Sequence, residues 1–295
     1  MQHKSANIVA FVILLIAIIC GCWFALSQNN QNQQVVTKKI TYKNVPTFFF
    51  HGWGSSYHAE EDMVNAIRNA KVTDNVIRIN VTKNQKVIFH GHLKKNAKNP
   101  IIEVNFDDNK LNAYRGNYAD GYKDLGAKYV KAAIIAVNEK YHYKNINIVA
   151  HSMGNLETAY YFEQYPNLQK KYPVDHFISI AGHYDGIIGE NDSQNRLKLN
   201  AKTGKPNIIQ PEYRGLLPLR QTFPRNTRVL NIFGNLEDGT NSDGDVSNNS
   251  AKSLKYLVAG RAKSYRNLMI KGKNAQHSKL HNNQEVNKAI INFLW

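Results

Sequence analysis

Short apolar runs alternate with amphipathic stretches along most of the chain, and this alternation restricts the possible folds more than any other feature. The runs begin at Thr47–Phe50 and recur as far as Tyr265–Ile270. Between them, stretches such as Tyr118–Tyr141 repeat apolar residues every three or four positions, which is typical of helices. Strands joined through helices lie parallel and are covered on both faces. The sequence therefore predicts an α/β fold with a mostly parallel central sheet.

The boundaries of the predicted elements follow the same patterns. The predicted strands are Thr47–Phe50, Val76–Val81, Lys86–His90, Ile101–Phe106, Ile146–Val149, Phe177–Ala181, Val229–Phe233 and Tyr265–Ile270. The predicted helices are Glu60–Ala70, Tyr118–Tyr141, Met153–Tyr165 and Asn283–Trp295. The polar turn between the third and fourth strands predicts that these two form an antiparallel hairpin. After the sixth strand the alternation stops, and a loop as long as residues 185–226 predicts a cap over the carboxyl edge of the sheet.

The N-terminal segment has the length and polarity of a membrane span. Ile8–Leu26 carries no charge and follows Lys4, which is typical of a signal-anchor. Ala25-Leu26-Ser27 also fits a cleaved signal peptide, and Cys22 fits a lipidated cysteine. All three interpretations place the rest of the protein outside the cytoplasm, at the cell surface or secreted. We predict a signal-anchor or signal peptide over residues 1–27, a polar spacer over 28–40 and one folded domain over 41–295.

Charge and cysteine content restrict the partners of the folded domain. Both cysteines, Cys20 and Cys22, lie in the apolar segment, so the domain has neither a disulfide nor a thiol ligand. The formal net charge is +16, but the basic residues are scattered and no nucleic-acid-binding motif accompanies them. The charge predicts attraction to an anionic cell-envelope polymer or membrane surface, or serves solubility alone. The oligomeric state is left open.

The sequence NIVAHSMGN at residues 147–155 places a serine between a predicted strand and a predicted helix. A tight turn at such a junction needs small residues around the serine, and Ala150 and Gly154 meet this need. The turn exposes the hydroxyl and brings it next to the N-terminus of the following helix. Ser152 is therefore the candidate nucleophile.

A serine nucleophile needs a base, and a histidine that follows the last strand is suited to that role. His277 lies just after the strand that ends at Ile270, which makes it the preferred base. His281 is the nearest competitor, and we expect it in or at the edge of the final helix. His183 is interpreted as a cap or loop residue.

The base must be oriented by an acid, and three carboxylates follow the strand Val229–Phe233. Asp243 is the first choice, Asp238 and Asp245 are alternatives, and Asp185, one strand earlier, is a fourth. Those that do not orient the histidine are interpreted as turn residues.

Two backbone N–H groups are needed to stabilise an oxyanion. The residue after the nucleophile, Met153, supplies one, and the loop His51-Gly52-Trp53-Gly54 after the first strand supplies the other from Trp53. The pairs His90/His92 and His277/His281 lack a third ligand at metal-site spacing, so neither a metal nor another cofactor is predicted.

Four segments resemble those of the lipase-like α/β-hydrolases. They are HGWGSS at 51–56, AHSMGN at 150–155, NSDGDVSNNSA at 241–251 and HSKLHNNQEV at 277–286. The chain is similar in particular to predicted surface hydrolases of Gram-positive bacteria whose domain carried an unknown-function label. The resemblance covers about Thr47 to the C-terminus; it departs at Ala150, where most hydrolases have glycine. It supports the acid role for Asp243 and the base role for His277.

The resemblance implies an α/β-hydrolase domain over residues 41–295. The implied activity is a serine esterase or lipase-like hydrolase that acts on small-molecule or lipid esters through an acyl-enzyme and without a cofactor. Two alternatives stay open. One is a non-catalytic envelope-binding protein on the same scaffold, and the other is a peptidase or amidase with the same three residues.

Overall fold

The eight predicted strands pair into one sheet in the computed structural model, which describes residues 39–116 and 118–295. The strands are β1 (Thr47–Phe50), β2 (Val76–Val81), β3 (Val87–His90), β4 (Ile101–Phe106), β5 (Ile146–His151), β6 (Val174–Ile180), β7 (Arg228–Asn235) and β8 (Ser264–Lys271). Their order is β3-β2-β4-β1-β5-β6-β7-β8, and every neighbouring pair is parallel except β2 with β3. The predicted mostly parallel sheet is confirmed.

Helices cover both faces of this sheet. They are α1 (Glu61–Asn69), α2 (Tyr118–Gly121), α3 (Ala127–Tyr141), α4 (Met153–Gln164), α5 (Pro166–Lys171), α6 (Pro211–Leu216), α7 (Leu219–Thr222), α8 (Asn248–Lys252), α9 (Leu254–Val258) and α10 (Gln284–Leu294). A π-helical turn, Tyr122–Gly126, joins α2 to α3, so the predicted helix Tyr118–Tyr141 consists of three segments. Alternate residues of β1 belong to opposite cores: Phe48 and Phe50 pack on one face and Phe49 on the other.

The predicted hairpin of the third and fourth strands is wrong. β3 instead pairs antiparallel with β2, through a tight turn in which the Thr82 N–H donates to the Lys86 carbonyl at 2.9 Å. A connection this short can join only antiparallel neighbours, whereas the longer segment after β3 lets the chain return and place β4 parallel to β2. Burial explains the order: β3 is at most half-buried and lies at the edge, whereas four of the six β4 residues are buried.

The segment between β6 and β7 contains α6 and α7 and packs against α4. The Tyr160 hydroxyl of α4 donates to the Glu212 carbonyl at 2.8 Å, and Tyr213 and Leu216 are fully buried. Through these contacts residues 185–226 pack against the rest of the domain, so the segment is ordered and does not form an unattached surface loop.

A compact unit begins at Ile40 and runs to Trp295. The predicted signal segment (1–27) and the predicted spacer, up to residue 38, lie outside the described residues. Among residues 39–116 and 118–295, no helix combines the length and apolar character that crossing a bilayer would require.

Candidate active site

Ser152 lies between the last residue of β5 and the first residue of α4, as the strand-to-helix pattern predicts. Its backbone has φ 50° and ψ −120°, a conformation that residues with a side chain seldom adopt. The Ser152 N–H donates to the Ile180 carbonyl at 2.9 Å, which fixes the turn to the neighbouring strand. The strained turn keeps the Ser152 side chain partly exposed at the carboxyl edge of the sheet.

Two glycines allow the end of β1 to pass close to this turn. A Cβ on Gly154 would lie 2.7 Å from the Phe50 carbonyl oxygen and 2.8 Å from that of His51. A Cβ on Gly52 would lie 2.9 Å from the Ser152 Cβ. Contacts this short are not found for real Cβ atoms, so the approach of the two segments requires glycine at both positions.

His277 bridges Ser152 and Asp243. Its Nε2 accepts the Ser152 hydroxyl proton at an Oγ to Nε2 distance of 2.9 Å, and its Nδ1–H donates to Asp243 Oδ2, also at 2.9 Å. The three side chains come from the loops after β5, β7 and β8, which all end at the same edge of the sheet. A hydroxyl, an imidazole and a carboxylate connected in this order can activate the hydroxyl as a nucleophile.

Asp243 is held rigidly. Its side chain is buried, and Oδ1 accepts the backbone N–H groups of Asp245 at 3.1 Å and Val246 at 2.7 Å. The His277 N–H also donates to the Asp243 carbonyl at 2.9 Å, so the two loops are joined through the backbone. This network leaves Oδ2 directed to the imidazole in a single geometry.

The electrostatic surroundings favour the protonated form of His277. Burial by itself would lower the pKa of His277, but the hydrogen bond and charge of Asp243, with a smaller contribution from Asp245, raise it above 6.5. An imidazole whose cation is stabilised in this way is suited to hold a proton taken from a hydroxyl.

The other candidate acids do not contact His277. Asp238 is exposed, and the Thr240 hydroxyl and N–H, at 2.6 and 3.0 Å, lower its pKa. Asp185, the first residue of the segment 185–226, is buried. Its Oδ1 accepts the Gln210 N–H at 2.9 Å, and burial raises its pKa to about 7. Asp245 is exposed and lines the cleft described below.

The loop after β1 is locked by a buried histidine. His51 Nε2 accepts the Phe106 N–H at 3.1 Å, so the proton resides on Nδ1 and is donated to the Gly52 carbonyl at 2.9 Å. Burial lowers the pKa of His51 to about 4, which keeps the ring neutral. In the part of the chain that the structure describes, the Trp53 N–H has no hydrogen-bond acceptor, and the Gly54 N–H donates to the Asn109 carbonyl at 2.8 Å.

Three further histidines surround the site. His151 is buried, its Nε2–H donates to the His277 carbonyl at 3.2 Å, and its ring lies 5.0 Å from that of His277. His281 ends a 3-10 turn before α10, and its ring packs edge-on to His151 at 5.1 Å. His183 follows β6 and contacts the Tyr122 hydroxyl through Nε2 at 3.1 Å. His151 lies within the segment NIVAHSMGN, but no pattern in the sequence distinguishes it as part of the site.

A cleft of about 720 Å³ opens over Ser152. Ile187, Ile188 and Val246 provide an apolar wall, and Trp53, with 55% of its surface exposed, stands at the rim. Ile187, Ile188 and Glu190, which follow β6, thus border the site. Among residues 39–116 and 118–295, no three or more His, Cys, Asp or Glu side chains are grouped so that they could hold a metal ion.

Many solved structures resemble this chain, among them two from Listeria and Lactobacillus. The product of gene lin2722 from Listeria innocua has 22% sequence identity and a TM-score of 0.74, over 85% of this chain and 94% of its own. A predicted cell surface hydrolase from Lactobacillus plantarum WCFS1 has 22% identity and a TM-score of 0.64, over 85% of this chain and 89% of its own. Similarity at this identity establishes the shared fold.

No curated protein sequence is significantly similar to the chain. One family model matches residues 34–295, and its description is an alpha/beta hydrolase of unknown function, DUF915. The match includes the whole sheet, the turn at Ser152 and the loops of Asp243 and His277. The chain therefore belongs to this α/β-hydrolase family.

Proposed function

We propose that the protein is a serine hydrolase that cleaves carboxylic esters through an acyl-enzyme. The observation that carries the proposal is the hydrogen-bonded series Ser152, His277 and Asp243, with both links at 2.9 Å, at the floor of a cleft large enough for a small ester. Ser152 is the nucleophile, His277 the general base and then the general acid, and Asp243 the group that orients the imidazole and stabilises its cation.

The reaction has two steps. The Ser152 oxygen attacks the ester carbonyl while its proton passes to His277 Nε2, and the N–H groups of Trp53 and Met153 stabilise the oxyanion. Collapse of this intermediate breaks the bond to the leaving alcohol, which takes the proton from His277. Water then attacks the acyl-enzyme with the same proton transfers, and the acid product and free Ser152 are released.

Labelling and hydrolysis together test this proposal. A fluorophosphonate should label the wild-type protein and a matched control, Ser193→Ala, whose serine is exposed and does not line the cleft. Ser152→Ala should abolish the label. Short-chain 4-nitrophenyl esters should be hydrolysed by the wild type, and His277→Ala should lower kcat by about 10³-fold or more.

Failure of a folded wild-type protein to take the label or to hydrolyse any ester would instead support a non-catalytic protein on the same scaffold. Hydrolysis of 4-nitroanilide substrates in preference to the esters would indicate a peptidase or amidase.

The site of action that we propose is the outer face of the cell membrane. Three features support it: the apolar segment Ile8–Leu26, the net charge of +16, and the similarity to a predicted cell surface hydrolase. The segment either anchors the chain or is cleaved. The positive charge attracts the protein to anionic envelope polymers or to the membrane surface, and residues 185–226 act as the cap that shapes access to Ser152.

A further inference from the structure

The cleft over Ser152 has the opposite charge to the chain as a whole. The chain carries 38 Lys and Arg against 22 Asp and Glu. Among the described residues, the charged side chains that line the cleft, other than histidines, are Glu190 and Asp245, and both are acidic. This lining gives the cleft a local charge of opposite sign to the net charge of the protein, and such a lining favours a cationic ligand.

The two carboxylates belong to segments that are joined to each other. The Ile188 N–H donates to the Asp245 carbonyl at 2.8 Å, which ties the turn of residues 187–192 to the loop of Asp243. Glu190 and Asp245 are both exposed, and neither forms an ion pair with another described residue. Apart from the contribution of Asp245 to the pKa of His277, no charged group of the described residues offsets these two negative charges, so they are available to a cation that enters the cleft.

A neighbouring cavity extends this acidic surface. It has a volume of about 380 Å³ and shares Tyr122, His183 and Glu190 with the cleft. Glu212 lines it and is nearly buried, with Oε1 accepting the Asn191 amide at 2.6 Å. No described Lys or Arg lines either cavity.

Two cations approach the cavities without pairing with these carboxylates. The Lys110 ammonium lies 4.5 Å above the Trp53 ring at the rim, and the Arg196 guanidinium donates to the Asn191 carbonyl at 3.3 Å. The Trp53 ring therefore already accepts an ammonium group on one of its faces. An aromatic rim next to unpaired carboxylates is a chemical environment suited to an amine cation.

We propose that the cleft selects esters that carry a positively charged amine, which Glu190 and Asp245 bind while Ser152 attacks the carbonyl. This selectivity rests on the proposed ester hydrolysis and adds the substrate class to it. The apolar wall of Ile187, Ile188 and Val246 takes the carbon chain between the ester and the charge.

Isosteric pairs of substrates separate the effect of charge from that of size. In the first pair the difference lies in the leaving group: acetylthiocholine carries a positive charge there, and S-(3,3-dimethylbutyl) thioacetate has a neutral group of the same shape. The 4-nitrophenyl esters of 4-(trimethylammonio)butanoate and 5,5-dimethylhexanoate place this difference in the acyl group. In one of the two pairs the charge should reach the carboxylates. For that pair we expect kcat/KM to be about tenfold higher for the cationic substrate than for the neutral one, because each of the two carboxylates should contribute a factor of about three. The ratio should fall as salt is raised from 50 to 500 mM, because salt screens exposed charges.

Variants of the full-length protein assign the preference to residues. Glu190→Gln and Asp245→Asn should each lower the ratio of the two kcat/KM values about threefold, through KM for the cationic ester, and Lys110→Gln should raise it. Glu139→Gln is the matched control, since this exposed glutamate pairs with Lys171 on the surface and should leave the ratio unchanged.

The outcomes distinguish the two proposals. Ratios of about three or less in both pairs, or ratios that neither acidic variant changes, would overturn the cation selectivity while leaving the ester hydrolase intact. Labelling of Ser152 by a fluorophosphonate without hydrolysis of either cationic ester would do the same. Absence of both labelling and hydrolysis would overturn the proposed hydrolase and, with it, the selectivity.

Discussion

The proposed reactivity of the Ser152 hydroxyl depends on the positions of a few neighbouring groups. The positive φ of Ser152 is imposed by the turn, and the imidazole of His277 is fixed from both of its nitrogens. Asp243 in turn is fixed by two backbone N–H groups at its other oxygen. Because each of these groups is positioned by the next, a substitution of Asp243, the most buried of them, should alter the position and reactivity of the Ser152 hydroxyl.

Asp243→Asn tests this dependence through the pH profile. In the free enzyme His277 must be neutral to accept the proton, so kcat/KM should rise with pH through the pKa of His277, which Asp243 holds above 6.5. Without the carboxylate the imidazolium loses its partner. We expect the acidic limb of the profile to move to lower pH and kcat to fall by about 10³ to 10⁴-fold.

Initial rates between pH 5 and 9 measure both effects. Asp238→Asn is the matched control, because Asp238 binds Thr240 and does not contact His277. An unchanged profile in Asp243→Asn would contradict the role proposed for this aspartate.

Among the secondary structure elements, the junctions matter more for the site than the interiors. β1, β5, β7 and β8 end at the same edge of the sheet, and the loops that follow them carry Trp53, Ser152, Asp243 and His277. α4 begins directly after Ser152, so its first N–H groups lie next to the nucleophile. The close approach of α4 to the end of β1 depends on two residues without a side chain, Gly52 and Gly154.

Gly154→Ala should therefore destabilise the domain and impair the site together. The added methyl would meet the carbonyl oxygens of Phe50 and His51, which are backbone atoms and cannot rotate away. We expect a loss of about 1 to 3 kcal/mol in the free energy of unfolding, as in other overpacked sites. Urea denaturation measures it, and hydrolysis of a short ester shows the accompanying loss of activity.

Gly260→Ala is the matched control, since a Cβ at Gly260 meets no atom within 4 Å and its φ is not positive. Equal stability of the two variants would show that the contact between β1 and α4 is less restrictive than the distances indicate.

The distribution of charge over the whole protein separates its surface from its cleft. The net charge of +16 is the basis of the proposed attraction to polyanions, whereas the cleft is lined by acidic groups. Such a protein can be held on an anionic surface while it accepts a cationic group at its active site. The two properties are independent, because the first depends on the summed charge and the second on Glu190 and Asp245.

Polyanion binding should accordingly be strong at low salt and weak at high salt. We expect the affinity of the protein for fluorescently labelled polyphosphate to fall about tenfold or more between 50 and 500 mM NaCl, because salt screens exposed charges. Fluorescence anisotropy measures the affinity. Glu190→Gln, which changes the cleft and hardly alters the net charge, should bind as the wild type does. Affinity that does not depend on salt would contradict an electrostatic attraction.

The sequence by itself determined the fold class and the order of the elements, because strand and helix periodicities are local properties of the chain. It also indicated Ser152, since a turn between a strand and a helix leaves a local pattern of small residues. It mispaired β3, because pairing depends on which strands are buried, and burial is a property of the assembled sheet. The sequence preferred Asp243 to Asp238, Asp245 and Asp185, but only the tertiary structure shows which of them contacts His277, because that contact joins loops 34 residues apart. The tertiary structure alone also brought Glu190 and Asp245 to one cleft, because the hydrogen bonds that join the two segments connect residues far apart in the chain, which no local pattern encodes.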